Sequence, residues 1–515
     1  MIQLKESILK DIEVFRGEGH KFLNKELTVM DFKHLSGGMG SYAERSKTTF
    51  MVRFKTPSGI MTLDEMKWFI DKAEENNLNK IHFTTRQAIQ FHGLSIDSVC
   101  DLMKEALEKD IYTRGAGGSF PGNIAISPLS GVEVNEAFDV TPYALEVNNY
   151  FMSRIREYKL PRKIKVSFSN CGKDEAHCSM TDLGFLAVNN NGEKKFKVYI
   201  GGGLGNNPRI GLTLDELINP DEVLYYFEAM LRLFMAEGDY NNRYKARIRF
   251  IVDRMGEEEF KNCYKKYLAQ VKEEGNLDIN VKAAEIIKEG IRTDFTHKRL
   301  VPQKQEGLYS VYFHPFGGQA ELKDLNSILE FIKGIDKVEL RLSMAQGIFI
   351  RNLNGKEAER LIEITQNCGG ETRIEQSIAC IGAPTCQIGT GASQTVAQSL
   401  IEFFNEKGYS KDILPSIHIS GCTNSCAFNQ GSLIGLAGKK KRVDGVMEDA
   451  FELQINGTFK ENDVKIAKVF GSILAKDVLQ FMYELSLMVE DKNIKFEEYV
   501  EKYEEEIAKL VEKFN

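Results

Sequence analysis

The chain has 515 residues, 42% of them hydrophobic, and a net charge of −7. At roughly 100–200 residues per domain this suffices for about three cores, and a net negative chain with dispersed charges excludes non-specific nucleic-acid binding. No window approaches the roughly 18 apolar residues of a membrane span, Met1-Ile-Gln-Leu-Lys-Glu-Ser7 lacks the basic-then-apolar pattern of a secretory leader, and nine cysteines, an odd number, do not make a secreted disulfide framework. Composition points to a reduced, cytoplasmic protein with neither nucleic acid nor membrane as partner.

In chain order, the first predicted elements are an alternating strand Phe50-Met-Val-Arg-Phe54, a Pro57-Ser-Gly59 turn, an amphipathic helix from Leu63 to about Asn77, and a strand Lys80-Ile-His-Phe-Thr-Thr-Arg86. Arg86, Gln90 and His92 recur there at even spacing, which places them on one face of an extended strand. Lys163 and Lys165 alternate within Leu160-Pro-Arg-Lys-Ile-Lys165, so both ammonium groups are expected on one side, where crowding depresses a lysine pKa. A solvent-facing strand edge gives the same pattern. The strand Phe196–Ile200 leads into Gly201-Gly-Gly-Leu-Gly205, which lacks the spacing and the following acidic residue of a dinucleotide site. Helices are expected over Leu214–Glu237 and Glu257–Glu289, and the C-terminal run Val478–Phe514 is amphipathic.

The first unit then recurs. Phe50–Leu94 lies on Tyr309–Leu353 without a gap at an offset of 259 (311 − 52), matching Val52 with Val311, Gly59 with Gly318 and Gln87 with Gln346. More loosely, Cys171 and Cys178 after Leu160-Pro parallel Cys422 and Cys426 after Leu414-Pro, and Asp182–Ala187 parallels Ser432–Ala437. Two copies of a long strand, turn, helix and strand unit predict an α+β, internally duplicated, pseudo-two-fold body with a site between its halves.

Four cysteines form C-x5-C then C-x3-C: Cys380, Cys386, Cys422 and Cys426. The small residues and proline around them, Ser377-Ile-Ala-Cys-Ile-Gly-Ala-Pro-Thr-Cys386 and Ser420-Gly-Cys-Thr-Asn-Ser-Cys426, let backbone amides approach metal-bound sulfur. A [4Fe–4S] cluster held by two loops fits this spacing best, with zinc and inert buried thiols as alternatives. In the first copy Cys171-x6-Cys178 has the wrong spacing and reads as a degenerate echo.

Cys-x5-Cys followed by Gly-Cys-Thr-Asn-Ser-Cys426 resembles the signature of the sirohaem- and [4Fe–4S]-dependent sulfite and nitrite reductases, and the resemblance runs from about Gly40 to Gly457. It implies ferredoxin-like repeats joined in a central domain with two further α+β sirohaem and iron–sulfur domains. On this chain the segments are 1–113 and 300–372 for the paired repeats, 114–299 for the first flanking domain and 373–515 for the cluster domain. It further implies one [4Fe–4S] cluster on the four cysteines, with Cys426 also the axial sirohaem ligand. By match of position Arg86, Gln90, His92, Asn123, Arg162, Gln346 and Asn424 contact the cofactor, while Arg53, Lys163 and Lys165 lie over the open haem face and hold and protonate the substrate. Relatives place a second substrate arginine where this chain has Gly122; Arg114, in the same loop, is the candidate substitute.

The reaction implied is the six-electron reduction of sulfite to sulfide, which Lys165 favours, or of nitrite to ammonia. The non-enzymatic alternative is an iron–sulfur electron-transfer or scaffold protein. With no flavin or nicotinamide domain, electrons are expected from an external low-potential donor, a ferredoxin or a reductase subunit.

Overall fold

The computed structural model describes residues 2–409 and 411–514. Four five-stranded sheets organise it, arranged as two equivalent pairs. In the first repeat, alternation buries Val52, Phe54, Ile89 and Phe91 on one face of the strands Phe50–Phe54 and Ile89–Leu94. The helix Leu63–Glu75, started by a Thr62/Glu65 capping box, covers that face with Met66, Phe69 and Ile70. The second repeat does the same with strands Leu308–Phe313 and Ile348–Asn354 and helix Leu322–Ile332, and both copies share a single hydrophobic core.

The repeats also exchange edges. Strand Gln319–Glu321 of the second pairs antiparallel with Lys80–Phe83 of the first, and Ile60–Met61 of the first pairs with Glu339–Leu342 of the second. The registers Gln319↔His82 and Ile60↔Arg341 are related by the 259-residue offset (319 − 60 and 341 − 82). Each exchange closes an edge that would otherwise expose unpaired backbone groups.

The other two sheets flank this centre, each over its own core. One runs Leu212–Thr213, Glu193–Ile200, Leu183–Asn190, Val166–Ser169, Ala125–Ile126; the other runs Lys468–Leu474, Val446–Ile455, Ile434–Val443, Ile417–Ser420, Ile378–Ala379. Both begin with two parallel pairings and continue antiparallel.

Four expected elements differ. The helix expected from Leu214 begins only at Val223, after a short turn that Asn219 caps and Pro220 opens. The strand expected to run through Arg86 stops at Phe83; a turn with Gln87 at φ 54° intervenes before Ile89. The helix from Glu257 ends at Glu274 on Gly275 (φ 68°), and residues 275–297 have no regular structure. That stretch lies along the second repeat instead, exchanging backbone bonds with Gly307 and Gly355 through Ile291 and placing Lys288 on the Asn352 carbonyl and Glu357. The C-terminal run divides into Val478–Lys492, Phe496–Lys502 and Glu504–Lys513, the first ending on left-handed Asn493. Among the described residues no helix is long and apolar enough to cross a membrane.

Candidate functional site

The cysteines follow the ends of two adjacent parallel strands, Ile378–Ala379 and Ile417–Ser420, whose pairing sets their loops side by side. The loops interlock through backbone: Gly391 and Thr390 donate to the Gly421 carbonyl, and Cys386 donates to Gly382. A Cβ on Gly421 would stand 2.8 Å from Gly382 Cα and from the Gly391 carbonyl, so only glycine fits. Donors already point at sulfur: the Gly421 amide reaches Cys380 Sγ at 3.1 Å and Asn424 Nδ2 reaches Cys422 Sγ at 3.3 Å. Burial, with the neighbouring Cys426 charge, pushes the Cys380 thiol up to about 12. Cys422 likewise feels Cys426 and Cys386, so the four sulfurs form one electrostatic group. Among the described residues no three His, Cys, Asp or Glu converge on a point for one ion. Four thiols spread over two loops suit a polynuclear iron–sulfur cluster, and the donor chemistry fits.

Polar and charged side chains gather beside the cysteine loops. Arg53 and His82 both sit opposite Gln90 in the sheet, on its polar face. With its amide oxygen turned to Arg53, Gln90 accepts from Nε at 2.6 Å and Nη2 at 2.5 Å, and Arg53 Nη1 donates to the Ala116 carbonyl at 3.1 Å. His92 Nδ1 pairs with Glu44 Oε1 at 2.9 Å. Burial opposes the Glu44 charge, but His92 and Thr49 hold its carboxyl below the usual range. His82, Gln90, His92 and Glu44 face Ile381, Ala383 and Thr385 of the cysteine loop across a cavity of about 430 Å³.

Lys163 and Lys165 lie in an extended segment just ahead of strand Val166–Ser169, on either side of buried Ile164. The Lys165 backbone N–H is held by Asp182 Oδ2 at 2.7 Å, and its ammonium stands 5.5 Å from the Phe428 ring centre. Lys163 opens onto the cleft but is enclosed by protein, and burial, then Arg247 and Arg162, push its ammonium down to about 7. Lys165 is held well below its ordinary value by burial, Arg86 and Lys163. Arg53, Lys163 and Lys165 are each favoured in their charged form by Cys426, so all three lie within electrostatic reach of that sulfur. Arg162 joins them, pushed down to about 10 by burial, Arg243 and Arg247.

Other expected residues stand elsewhere. Arg86 does not share a face with Gln90 and His92, because the turn at Gln87 breaks the strand alternation. Its guanidinium is spent on the carbonyls of Asn123 and Val166, each at 3.0 Å, and on Ser167 Oγ. Asn123 returns Nδ2 to the Gln87 carbonyl at 2.7 Å and leaves Oδ1 buried without a partner. Gln346 is fully buried, donating to the Ala379 carbonyl at 3.0 Å and accepting from its N–H at 2.8 Å. Arg114 turns away, stacking on Phe120 and reaching Met39 Sδ, with Asp11 and Arg156 as its charged neighbours. A Cβ on Gly122 would meet nothing within 4 Å. Asn424 is exposed beside Cys422, its carbonyl facing Gly205.

The echo in the first half is also displaced from its expected register. Pairings Val166↔Leu183 and Ile417↔Ile434 repeat at an offset of 251 (417 − 166), as do left-handed Asp174 and Ser425, and His177 and Phe428. Cys171 thus matches Cys422, but Cys426 is matched by Glu175, and Cys178 by Asn429. In the preceding loop the amide bonds Ser127→Phe168 and Glu133→Leu129 repeat as Cys380→Ile419 and Cys386→Gly382. The four cysteine positions are therefore held in the first half by Ser127, Glu133, Cys171 and Glu175.

Sequence reasoning missed Thr85, Arg243, Arg247 and Arg249, and also Lys33, whose ammonium burial, Arg162 and Arg243 hold below its ordinary value. Thr85 Oγ donates to the Cys426 carbonyl at 2.7 Å. Arg247 pairs with Asp182 Oδ2 at 2.5 Å, Arg249 donates to the Asn206 carbonyl, and each keeps a buried N–H without an acceptor, Nε and Nη1 respectively. These free guanidinium donors fit a carboxylate-rich macrocycle. The usable signal was Arg243-x3-Arg247-x-Arg249, a cationic run with no acid between Tyr240 and Val252.

Residues 42–109 match the model of the nitrite/sulfite reductase ferredoxin-like half domain, and residues 117–272 that of the nitrite and sulphite reductase 4Fe-4S domain. The latter covers the half whose ligand positions have diverged. Among curated proteins, the chain is 22% identical over 493 residues (88% of this chain, 81% of the relative) to an assimilatory ferredoxin-dependent nitrite reductase of Haloferax mediterranei. It is 24% identical over 424 residues (80% and 74%) to sulfite reductase [ferredoxin] 1 of Mycolicibacterium paratuberculosis. The solved structure of the Mycobacterium tuberculosis NirA protein shares the fold, with a TM-score of 0.83 over 98% of this chain and 96% of that one at 20% identity.

Proposed function

Because the chain belongs to the nitrite and sulfite reductase family, we propose that it carries one [4Fe–4S] cluster on Cys380, Cys386, Cys422 and Cys426, with Cys426 also the axial ligand of sirohaem, and reduces sulfite to sulfide with electrons from a reduced ferredoxin. The observation that carries this reading is the pair of cysteine loops set side by side by two adjacent parallel strands, with the Gly421 amide on Cys380 Sγ and Asn424 Nδ2 on Cys422 Sγ. When bound, the two groups together supply low-potential electrons one at a time to a substrate oxyanion. The chain's residues supply the rest. Arg53, fixed by Gln90 and the Ala116 carbonyl, is a preset charge for the anion and needs no reorganisation. Lys163, at about 7, exchanges its proton near neutral pH and can deliver it as each S–O or N–O bond breaks. Arg162, Arg247 and Arg249 are assigned to the cofactor's carboxylates.

Reduction of nitrite to ammonia is the second reading, favoured by the names of most of the curated relatives. Anaerobically purified protein separates these readings. Isobacteriochlorin absorption bands with four irons of the cluster per chain, and a higher kcat/KM for sulfite than for nitrite with reduced ferredoxin, support the first. A higher value for nitrite selects the second, and an iron–sulfur shoulder without haem bands leaves an electron-transfer protein.

A further inference from the structure

The duplicated fold holds its own control for one residue. Arg45 and Lys304 are equivalent at the 259-residue offset (304 − 45), each in the connection between the first two paired strands of its repeat, Ser41–Ala43 and Phe50–Phe54 or Leu300–Pro302 and Leu308–Phe313. Both dock through the main chain on equivalent loops: Arg45 N–H donates to Thr385 at 2.9 Å, and Lys304 N–H to Val132 at 2.8 Å. Their side chains then diverge. In the first half, where Ser127 and Glu133 stand at the C-x5-C positions, the Lys304 ammonium is neutralised by Glu136 at 2.6 Å. In the cysteine-bearing half the Arg45 guanidinium has no carboxylate partner among the described residues. It caps the loop instead, donating to the Cys386 carbonyl from Nε at 3.1 Å and Nη2 at 3.0 Å, and from Nη2 to the Gly389 carbonyl. The adjacent acid, Glu44, is committed to His92 and Thr49.

We propose that Arg45 is a positioning residue that fixes the Cys380–Cys386 loop and raises the reduction potential of the cluster held there; this rests on the cluster assignment above. Adding one electron to the cluster adds one negative charge beside four thiolates, and a fixed cation on a ligand's own peptide stabilises that reduced form. The same guanidinium ties together backbone carbonyls of a loop that carries almost no secondary structure. Arg45 is exposed, so water screens its charge and limits the effect.

The test compares the holoproteins Arg45→Gln, Arg45→Lys and Lys47→Gln, the last removing an exposed cation two residues away whose ammonium makes no hydrogen bond or ion pair among the described residues. Anaerobic redox titration followed by electron paramagnetic resonance reads the cluster, and amide hydrogen exchange of residues 382–391 in the apoproteins reads the loop. Arg45→Gln is expected to lower the equilibrium constant for one-electron reduction about tenfold, a fall of about 59 mV, and to speed exchange. Arg45→Lys should keep most of the potential yet exchange faster, because an ammonium cannot span both carbonyls. Lys47→Gln should change neither. An unchanged potential in Arg45→Gln, an equal shift in Lys47→Gln, or exchange identical to the parent chain overturns the proposal. A parent chain that binds no iron overturns the cluster assignment itself, while the exchange comparison still decides whether Arg45 clamps the loop.

Discussion

At the residue scale, the choice of oxyanion rests on Lys165. Replacing it with Asn removes a cation that burial, then Arg86 and Lys163, hold well below its ordinary value and that Cys426 favours in its charged form. A dianion loses more from this than a monoanion, so the ratio of kcat/KM for sulfite to that for nitrite should fall at least about tenfold, or roughly 1.4 kcal/mol. Equal losses for both would make Lys165 structural. If Cys426 is shared by cluster and haem as proposed, Cys426→Ser should abolish their electronic link together with turnover, since a hydroxyl does not replace a soft thiolate. Cys178→Ser should leave iron content intact, because Cys178 is buried against backbone carbonyls and corresponds to Asn429. Lys55 offers a test of stability. It is 4% exposed, its ammonium has only Met152 Sδ at 3.3 Å as a hydrogen-bond partner among the described residues, and burial pushes it down to about 8. Between pH 8 and the ordinary lysine range the unfolded chain holds the extra proton, so stability should rise with pH there. Lys55→Met should remove that rise and stabilise the apoprotein at pH 7 by about 1–3 kcal/mol in urea unfolding.

At the scale of elements, the two turns that end in Gln87 and Gln346 are the joints of the molecule. Each glutamine is left-handed and buried, and each grips the short outermost strand of a flanking sheet: Gln87 on Ile126, Gln346 on Ala379. Truncation of either to Ala strands a buried N–H and a buried carbonyl and should cost about 2–3 kcal/mol. The two variants should differ in one respect. Ala379 immediately precedes Cys380, so Gln346→Ala is expected to lose iron, and Gln87→Ala, next to Ser127, to retain it; iron assay of the purified variants decides. Gln346 was legible as a special position through its match to Gln87, but its engagement with the strand before the cysteines was not, because that contact joins residues 33 apart across two sheets. Arg86 failed for a related reason: even spacing was legible, whereas the turn that changes the parity depends on where Gln87 docks.

At the scale of the whole molecule, exchange of Ile60–Met61 and Gln319–Glu321 between repeats, over one shared core, makes the halves interdependent. Residues 1–299 expressed alone should be insoluble or expose apolar surface to a reporter dye, because Phe83, Ile81 and Met61 lose Ala320, Leu325 and Leu340. Co-expression with 300–515 should restore a soluble assembly. Independent folding of 1–299 would show that the shared core is dispensable.

The sequence alone determined the duplication, because gapless repetition of strands, glycine turns and helix faces over 45 positions (94 − 50 + 1) leaves no other reading. It also determined the thiolate loops, since short cysteine spacing among small residues is a local pattern. Tertiary structure alone decided which cations share the cleft. Arg53, the adjacent pair Arg162 and Lys163, and Arg247 come from three distant stretches of the chain, and only packing brings their charges to bear on Lys163. It likewise decided that Arg114 is spent on Phe120 and that Glu175, not Cys178, stands where the second half has Cys426, because register between strands is fixed by hydrogen bonds that no spacing within one segment records.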